Sequence, residues 1–321
     1  MIFEKKVIDA YRAQLYGRCD DTGRVYYFSA DDFEGLSSES FSFKSNEGAE
    51  LKGYFYSYEG YDVSRLVVFD HGYGGGHRAY MKEIEILCRQ GFRVFSYDHT
   101  GCMESAGDST RGFAQSLSDL DACIRALKSS DEAKNTTISV VGHSWGAFST
   151  LNISAIHPDI THIVALSGFL SVERMVNQNF SGLLKLYRKC ILDLERDTNP
   201  DYISYDAVNT LKASNVKALL IYSDDDKLVK MDYHFEPLKN ELCGNDNVTL
   251  MLVSGKGHNP NYTADAVQYM SDFFAEMKKR DKKGLLETDE QKNKFVASYD
   301  WNKMTEQDDT VWNKIISHLR A

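Results

Sequence analysis

Ser144 sits in Gly142-His143-Ser144-Trp145-Gly146, directly after the β-branched run Ile138-Ser139-Val140-Val141. A helix-like segment runs on from Trp145 towards Ile156. Strand, sharp turn and helix in this order form the setting in which a serine hydroxyl becomes a nucleophile. So tight a turn requires small flanking residues; Gly142 and Gly146 supply them and leave Ser144 projecting at the apex. A hydroxyl is a weak nucleophile at neutral pH. It needs a base to take its proton, and the base needs a third group to fix its tautomer. Behind such an elbow the acid comes first and the histidine second, each on a loop after a later strand.

His258 meets the requirement for the base. It lies in Val253-Ser254-Gly255-Lys256-Gly257-His258-Asn259, directly after the last strand-like run, where two glycines let the loop fold back over a sheet edge. The other histidines fit less well: His143 is inside the elbow, His234 falls in a helix-like segment and His318 near the C-terminus. For the acid, the run ending at Tyr222 leads into Ser223-Asp224-Asp225-Asp226. Three adjacent carboxylates cannot all face one imidazole, so at least two should be solvated or cap the following turn. Position alone leaves Asp224 and Asp226, which point the same way in an extended segment. A tetrahedral intermediate also calls for two backbone donors. One is the N–H of Trp145; the other should come from the glycine-rich loop His71-Gly72-Tyr73-Gly74-Gly75-Gly76. That loop lacks a following Gly-Lys-Ser/Thr and the Gly-X-Gly-X-X-Gly spacing, which speaks against a nucleotide site.

These residues need a frame. Buried-type runs at 65–70, 92–97, 138–141, 163–167, 216–222 and 248–253 alternate with helical periodicity, most clearly Leu117, Leu120, Ile124 and Leu127. This alternation predicts an α/β protein with a mostly parallel central sheet and helices on both faces. Ahead of it, Phe41 and Phe43 alternate with polar neighbours, Asn46-Glu47-Gly48 turns the chain, and Leu51, Gly53 and Phe55 return, which predicts an antiparallel hairpin. Phe3, Val7, Tyr11 and Leu15 predict an N-terminal helix over 1–20. Between Leu170 and Thr210 the alternation stops, and Met175, Phe180, Leu184, Tyr187 and Ile191 take helical spacing. An insertion there is expected to form a small helical cap at the C-terminal edge of the sheet. The stripe Val311, Trp312, Ile315, Ile316 and Leu319 predicts a terminal helix docked on the domain, with the N-terminal helix or a second subunit as its partner. The expected organisation is an N-terminal helical extension (1–40), an α/β core (41–170 and 211–280), the cap (171–210) and a helical tail (281–321).

A net charge of −10 lacks the basic face that nucleic acid requires. None of the six cysteines forms a Cys-X-X-Cys pair, so no zinc or redox motif is expected. Scattered thiols, no apolar leader and no ~20-residue apolar span make a cytoplasmic location the default.

Taken together, His71-Gly72-Tyr73-Gly74, Gly142-His143-Ser144-Trp145-Gly146, Asp226-Lys227-Leu228-Val229 and Gly257-His258 resemble the α/β-hydrolase family, in family order from about Leu51 to Lys279. The chain looks most like the capped branch of lysophospholipase- and monoacylglycerol-lipase-like enzymes. That branch carries Gly-X-X-Asp-X-X-Val at the acid, which selects Asp226, with Ser223 in place of the glycine. Its Asp-X-Arg-Gly-X-Gly-X-Ser loop corresponds to Asp98–Ser105, where the arginine and second glycine are missing. The resemblance implies a serine hydrolase cleaving a carboxylic ester, with Ser144 as nucleophile, His258 as base, Asp226 as orienter, and Tyr73 and Trp145 as oxyanion donors. It implies no metal and no cofactor. The expected substrate is a small ester with an apolar acyl or aromatic group, bound under the 171–210 cap. Alternatives are a thioesterase, a small-peptide hydrolase, or a non-catalytic ligand-binding protein on the same fold; the terminal helices could also serve a homodimer.

Overall fold

The computed structural model describes residues 2–321, so Met1 of the expected N-terminal extension lies outside them. Eight strands form one sheet: β1 (Ser37–Lys44), β2 (Glu50–Ser57), β3 (Arg65–Asp70), β4 (Arg93–Tyr97), β5 (Thr137–His143), β6 (His162–Leu166), β7 (Lys217–Ser223) and β8 (Val248–Val253). Their order is β1-β2-β4-β3-β5-β6-β7-β8. β1 and β2 form the expected hairpin, with Phe43 opposite Leu51 and Phe41 opposite Gly53. β2 joins β4 antiparallel, and every later pairing is parallel.

Period-2 alternation sorts the buried strands onto two faces. Leu66, Val68, Val140, Ile163, Ala165 and Leu220 point to one face, beneath Leu117, Leu120 and Ile124 of helix Gln115–Ser129 and Phe148 and Leu151 of helix Trp145–Asn152. Val67, Phe69, Val141, Val164, Leu219 and Ile221 point to the other. There they meet Met81, Ile84 and Leu87 of helix Met81–Arg89 and Val311, Trp312, Ile315, Ile316 and Leu319 of helix Asp309–Arg320.

The terminal apolar stripe therefore packs on the sheet, and not on the N-terminal helix. Arg65 Nη1 donates to the Leu319 carbonyl at 3.0 Å, and Arg320 Nη2 to that of Gln90 at 2.8 Å. The helix after β8, Ala264–Asp281, buries Phe273 in a separate small cluster with Leu286, Phe295 and Met304. In packing terms the expected boundary at 280/281 does not separate two cores, because the tail completes one layer of the sheet.

The N-terminal helix ends at Leu15, shorter than expected. Its buried Tyr11 donates to Glu195 Oε1 at 2.7 Å, a residue of helix Arg188–Thr198. Glu195 Oε2 also accepts from the Phe113 N–H at 3.0 Å. Burial raises the Glu195 pKa to about 7, partly offset by the hydroxyl of Tyr11. Residues 171–210 hold helix Val172–Asn179, a 3-10 stretch Gly182–Tyr187 and helix Arg188–Thr198, as their spacing indicated. No described helix is long and apolar enough to cross a membrane.

If the tail helix is part of the core, Ile315→Ala should cost about 2–5 kcal/mol in urea unfolding, as much as a substitution in a strand. A loss below about 0.5 kcal/mol would mean that the helix is not held on the sheet.

Candidate active site

β3 and β5 are parallel neighbours, and Asp70 pairs with Gly142 in register. Their C-terminal ends thus deliver the glycine-rich loop and Ser144 to the same edge. At the elbow, Ser144 has φ 55° and ψ −109°, a left-handed conformation that costs an L residue on the order of 1–3 kcal/mol. Neighbours hold it there. The Ser144 N–H donates to the Leu166 carbonyl at 2.9 Å. A Cβ on Gly146 would overlap the Asp70 carbonyl, and one on Gly142 would overlap Thr150 Oγ1 and the Gly146 carbonyl. Only glycine allows helix Trp145–Asn152 to start this close to β3.

Ser144, His258 and Asp226 come together. His258 Nε2 lies 2.7 Å from Ser144 Oγ, and His258 Nδ1 lies 2.8 Å from Asp226 Oδ2. The other Asp226 oxygen accepts the N–H groups of Leu228 (2.8 Å) and Val229 (3.0 Å), which fixes the carboxylate plane. The adjacent carboxylates are exposed, as expected from sequence, and each also accepts a hydrogen bond from the loop of His258. Asp224 Oδ1 accepts the Gly255 N–H at 3.2 Å, and Asp225 Oδ1 accepts the Gly257 N–H at 2.8 Å and the Ser223 hydroxyl at 2.7 Å. Ser223 Oγ in turn accepts the Lys256 N–H at 3.0 Å. Ser223-Asp224-Asp225-Asp226 thus grips the loop of His258 residue by residue.

Two further elements hold that loop. From the tail, the Asp308 N–H donates to the Asn261 carbonyl at 2.8 Å, Thr263 N–H donates to the Glu306 carbonyl at 3.0 Å, and Asp308 pairs with Lys256. From the elbow, His143 Nε2 lies 2.8 Å from the His258 carbonyl. A carbonyl only accepts, so Nε2 carries the proton and the unprotonated Nδ1 accepts from the Tyr80 hydroxyl at 2.8 Å. Tyr80 Oη accepts the Gly72 N–H at 3.1 Å. Burial, reinforced by His258, lowers the His143 pKa to about 3, so this tautomer is neutral at ordinary pH. The chain Gly72–Tyr80–His143–His258 connects the glycine-rich loop to the histidine loop. Neither Tyr80 nor His143 stood out in the sequence, because the chain runs through partners 63 and 115 residues apart.

The Trp145 N–H opens its helix and has no intrahelical acceptor. The Tyr73 ring packs edge-on against that of Trp145 (5.5 Å between centroids), and the Tyr73 hydroxyl donates to the Gln14 carbonyl at 3.1 Å. Beneath the elbow, His99 is fully buried between Asp70 (2.9 Å) and Asp119 (3.3 Å), with its ring 4.7 Å from that of Trp145. Burial alone would lower its pKa, but the two carboxylates outweigh this and raise it to about 9. Burial, helped by the nearby positive His99, lowers the His71 pKa to about 3. Its Nδ1 then donates to the Gly72 carbonyl at 2.8 Å, and its Nε2 accepts the His99 N–H at 2.9 Å.

The comparisons with known proteins agree with this frame. Residues 61–209 match the model of the serine aminopeptidase, S33, family of hydrolases. The matched segment contains Tyr73, Ser144 and Trp145 and ends before Asp226 and His258. An esterase from Pyrococcus furiosus superposes with a TM-score of 0.58 at 21% identity, over 88% of this chain and 99% of that one. A putative dienelactone hydrolase from Klebsiella pneumoniae gives 0.54 at 15% identity, over 89% and 98%. No curated protein sequence matches the chain. The chain adopts the α/β-hydrolase fold.

Tyr80→Phe removes the hydroxyl but leaves the Gly72 N–H and His143 Nδ1 unpaired. Urea unfolding should show a loss of about 1–3 kcal/mol; a change under about 0.3 kcal/mol would exclude the bridge. For His99, folding raises the pKa from 6.5 to about 9. Its stabilisation is complete below 6.5 and is lost as pH rises through about 9. The native chain should lose stability across that window, whereas His99→Gln, less stable throughout, should lack that part of the slope.

Proposed function

We propose that this chain is a serine hydrolase acting on carboxylic esters through an acyl-enzyme. The observation that carries the reading is the unbroken line Ser144 Oγ, His258 Nε2, His258 Nδ1, Asp226 Oδ2, with both contacts under 3 Å. In the proposed cycle Ser144 attacks the ester carbonyl while His258 takes its proton. Asp226 holds the imidazole with Nδ1 protonated and stabilises the imidazolium that forms. The N–H groups of Tyr73 and Trp145 bind the oxyanion; one such donor is typically worth ~3 kcal/mol of barrier. His258 then returns the proton to the departing alcohol, and water repeats the sequence to release the acid.

A second reading, cleavage of a short peptide from its amino end, is favoured by the description of the matched family. The machinery is the same, and only the leaving group differs.

A fluorophosphonate probe should label the folded protein and fail to label Ser144→Ala. Absence of label on the native chain would sink both readings. Against p-nitrophenyl esters, Asp226→Asn should lower kcat roughly a thousandfold or more, while Asp224→Asn, which keeps an oxygen to accept the Gly255 N–H, should fall far less. The reverse ranking would reassign the acid. Faster turnover of aminoacyl p-nitroanilides than of esters would favour the peptidase reading.

A further inference from the structure

A cavity of about 430 Å³ lies beside the candidate site and takes none of its lining from residues 171–210. Its inner end is formed by Gly74 and Gly75 of the glycine-rich loop and by Asn259, the residue after His258. Much of its wall comes from outside the matched family segment: Met270 and Met277 on helix Ala264–Asp281, Trp301 from the tail, and the stretch around Tyr26; Ala79 and Tyr80 complete it from within that segment. Asn259 Nδ2 contacts Met270 Sδ at 3.7 Å, which joins the inner end to the wall.

We propose that this cavity receives the departing alcohol of the ester, and that this alcohol is uncharged and apolar, an alkyl or aryl group. The assignment rests on the serine-hydrolase reading above and deepens it. The departing oxygen takes its proton from His258 Nε2, so it leaves on the His258 side of Ser144. The oxyanion faces the glycine-rich loop. Gly74 and Gly75 follow Tyr73 in the oxyanion loop and Asn259 follows His258, so the cavity they line adjoins both directions. The volume falls in the ~300–1,000 Å³ range of small-molecule sites. The methionines are unbranched and polarisable, and they adapt to chains of varied shape. Charge argues against a phosphorylated alcohol. Arg24, the cation of this wall, already pairs with Asp281 at 2.7 Å, and Asp20 lines the same space.

The test varies one side of the ester at a time. With ethyl, hexyl and decyl acetates, kcat/KM should rise with alcohol length, by up to about fourfold per methylene buried. Met277→Trp and Ala79→Trp fill the cavity from different walls at half-buried positions. Each should lose at least tenfold on hexyl acetate, retain ethyl acetate turnover within about twofold, and take up a small fluorophosphonate at the native rate. Unchanged hexyl acetate turnover in both labelled variants overturns the assignment and leaves the hydrolase reading intact. So does a loss confined to ethyl hexanoate, which would give the cavity to the acyl side. A native chain that takes no label removes the hydrolase reading, and this assignment with it.

Discussion

Everything at this edge of the sheet depends on how closely helix Trp145–Asn152 approaches β3. Gly146 sits against the Asp70 carbonyl with no room for a methyl group. That contact sets the separation between Ser144 and the loop beginning at His71, because both leave adjacent strands whose register is fixed at Asp70 and Gly142. It also places Trp145 over a buried ionic centre. Asp70, His99 and Asp119 bring together the end of β3, the end of β4 and the helix before β5. Isolated charges could not remain there; two carboxylates around one imidazolium leave a single net charge. Hydrogen bonds from Tyr97 (3.0 Å), Thr100 (2.8 Å) and Ser149 spread that charge.

The opposite wall is built differently. The loop of His258 contains two glycines and has little intrinsic order, so its position is imposed from outside. Ser223 at the end of β7 and the two carboxylates after it accept from three successive backbone N–H groups, the tail pairs with the loop further on, and His143 binds the carbonyl of His258 itself. A charged acceptor and a backbone N–H bond more strongly than neutral partners do. Three neighbouring acids in Asp224–Asp226 would ordinarily repel one another. Here each oxygen set faces a different donor.

Much of this was legible in the chain, for identifiable reasons. Buried parallel strands announce themselves by continuous apolar runs, and the hairpin by Phe41 and Phe43 alternating towards a Gly-containing turn. The elbow is legible because glycine at 142 and 146 has a steric meaning independent of context. What escaped depends on partners distant in sequence. Asp224, Asp225 and Asp226 are distinguished by a loop 31–32 residues away. Tyr80 and His143 acquire meaning only once their loops meet. Residues 20–27 have no periodicity, because the segment forms neither helix nor strand and is held by individual side chains such as Tyr26 against Phe28 and Trp301. The stripe from Val311 to Leu319 stated that a surface would be covered without saying which one, and the sheet turned out to be the answer.

That last placement bears on how the chain reaches its native state. Helix Asp309–Arg320 follows all eight strands in sequence, yet it packs on the sheet face that carries Val67, Phe69, Val141, Val164, Leu219 and Ile221, against β6. Until it has been synthesised, that face is covered only in part, by helix Met81–Arg89. A growing chain therefore carries an unsealed apolar sheet face through most of its synthesis, the kind of surface that chaperones recognise and aggregates recruit. Closure of the sheet and anchoring of the His258 loop are then one event, because the same segment of chain, from Glu306 to Arg320, performs both.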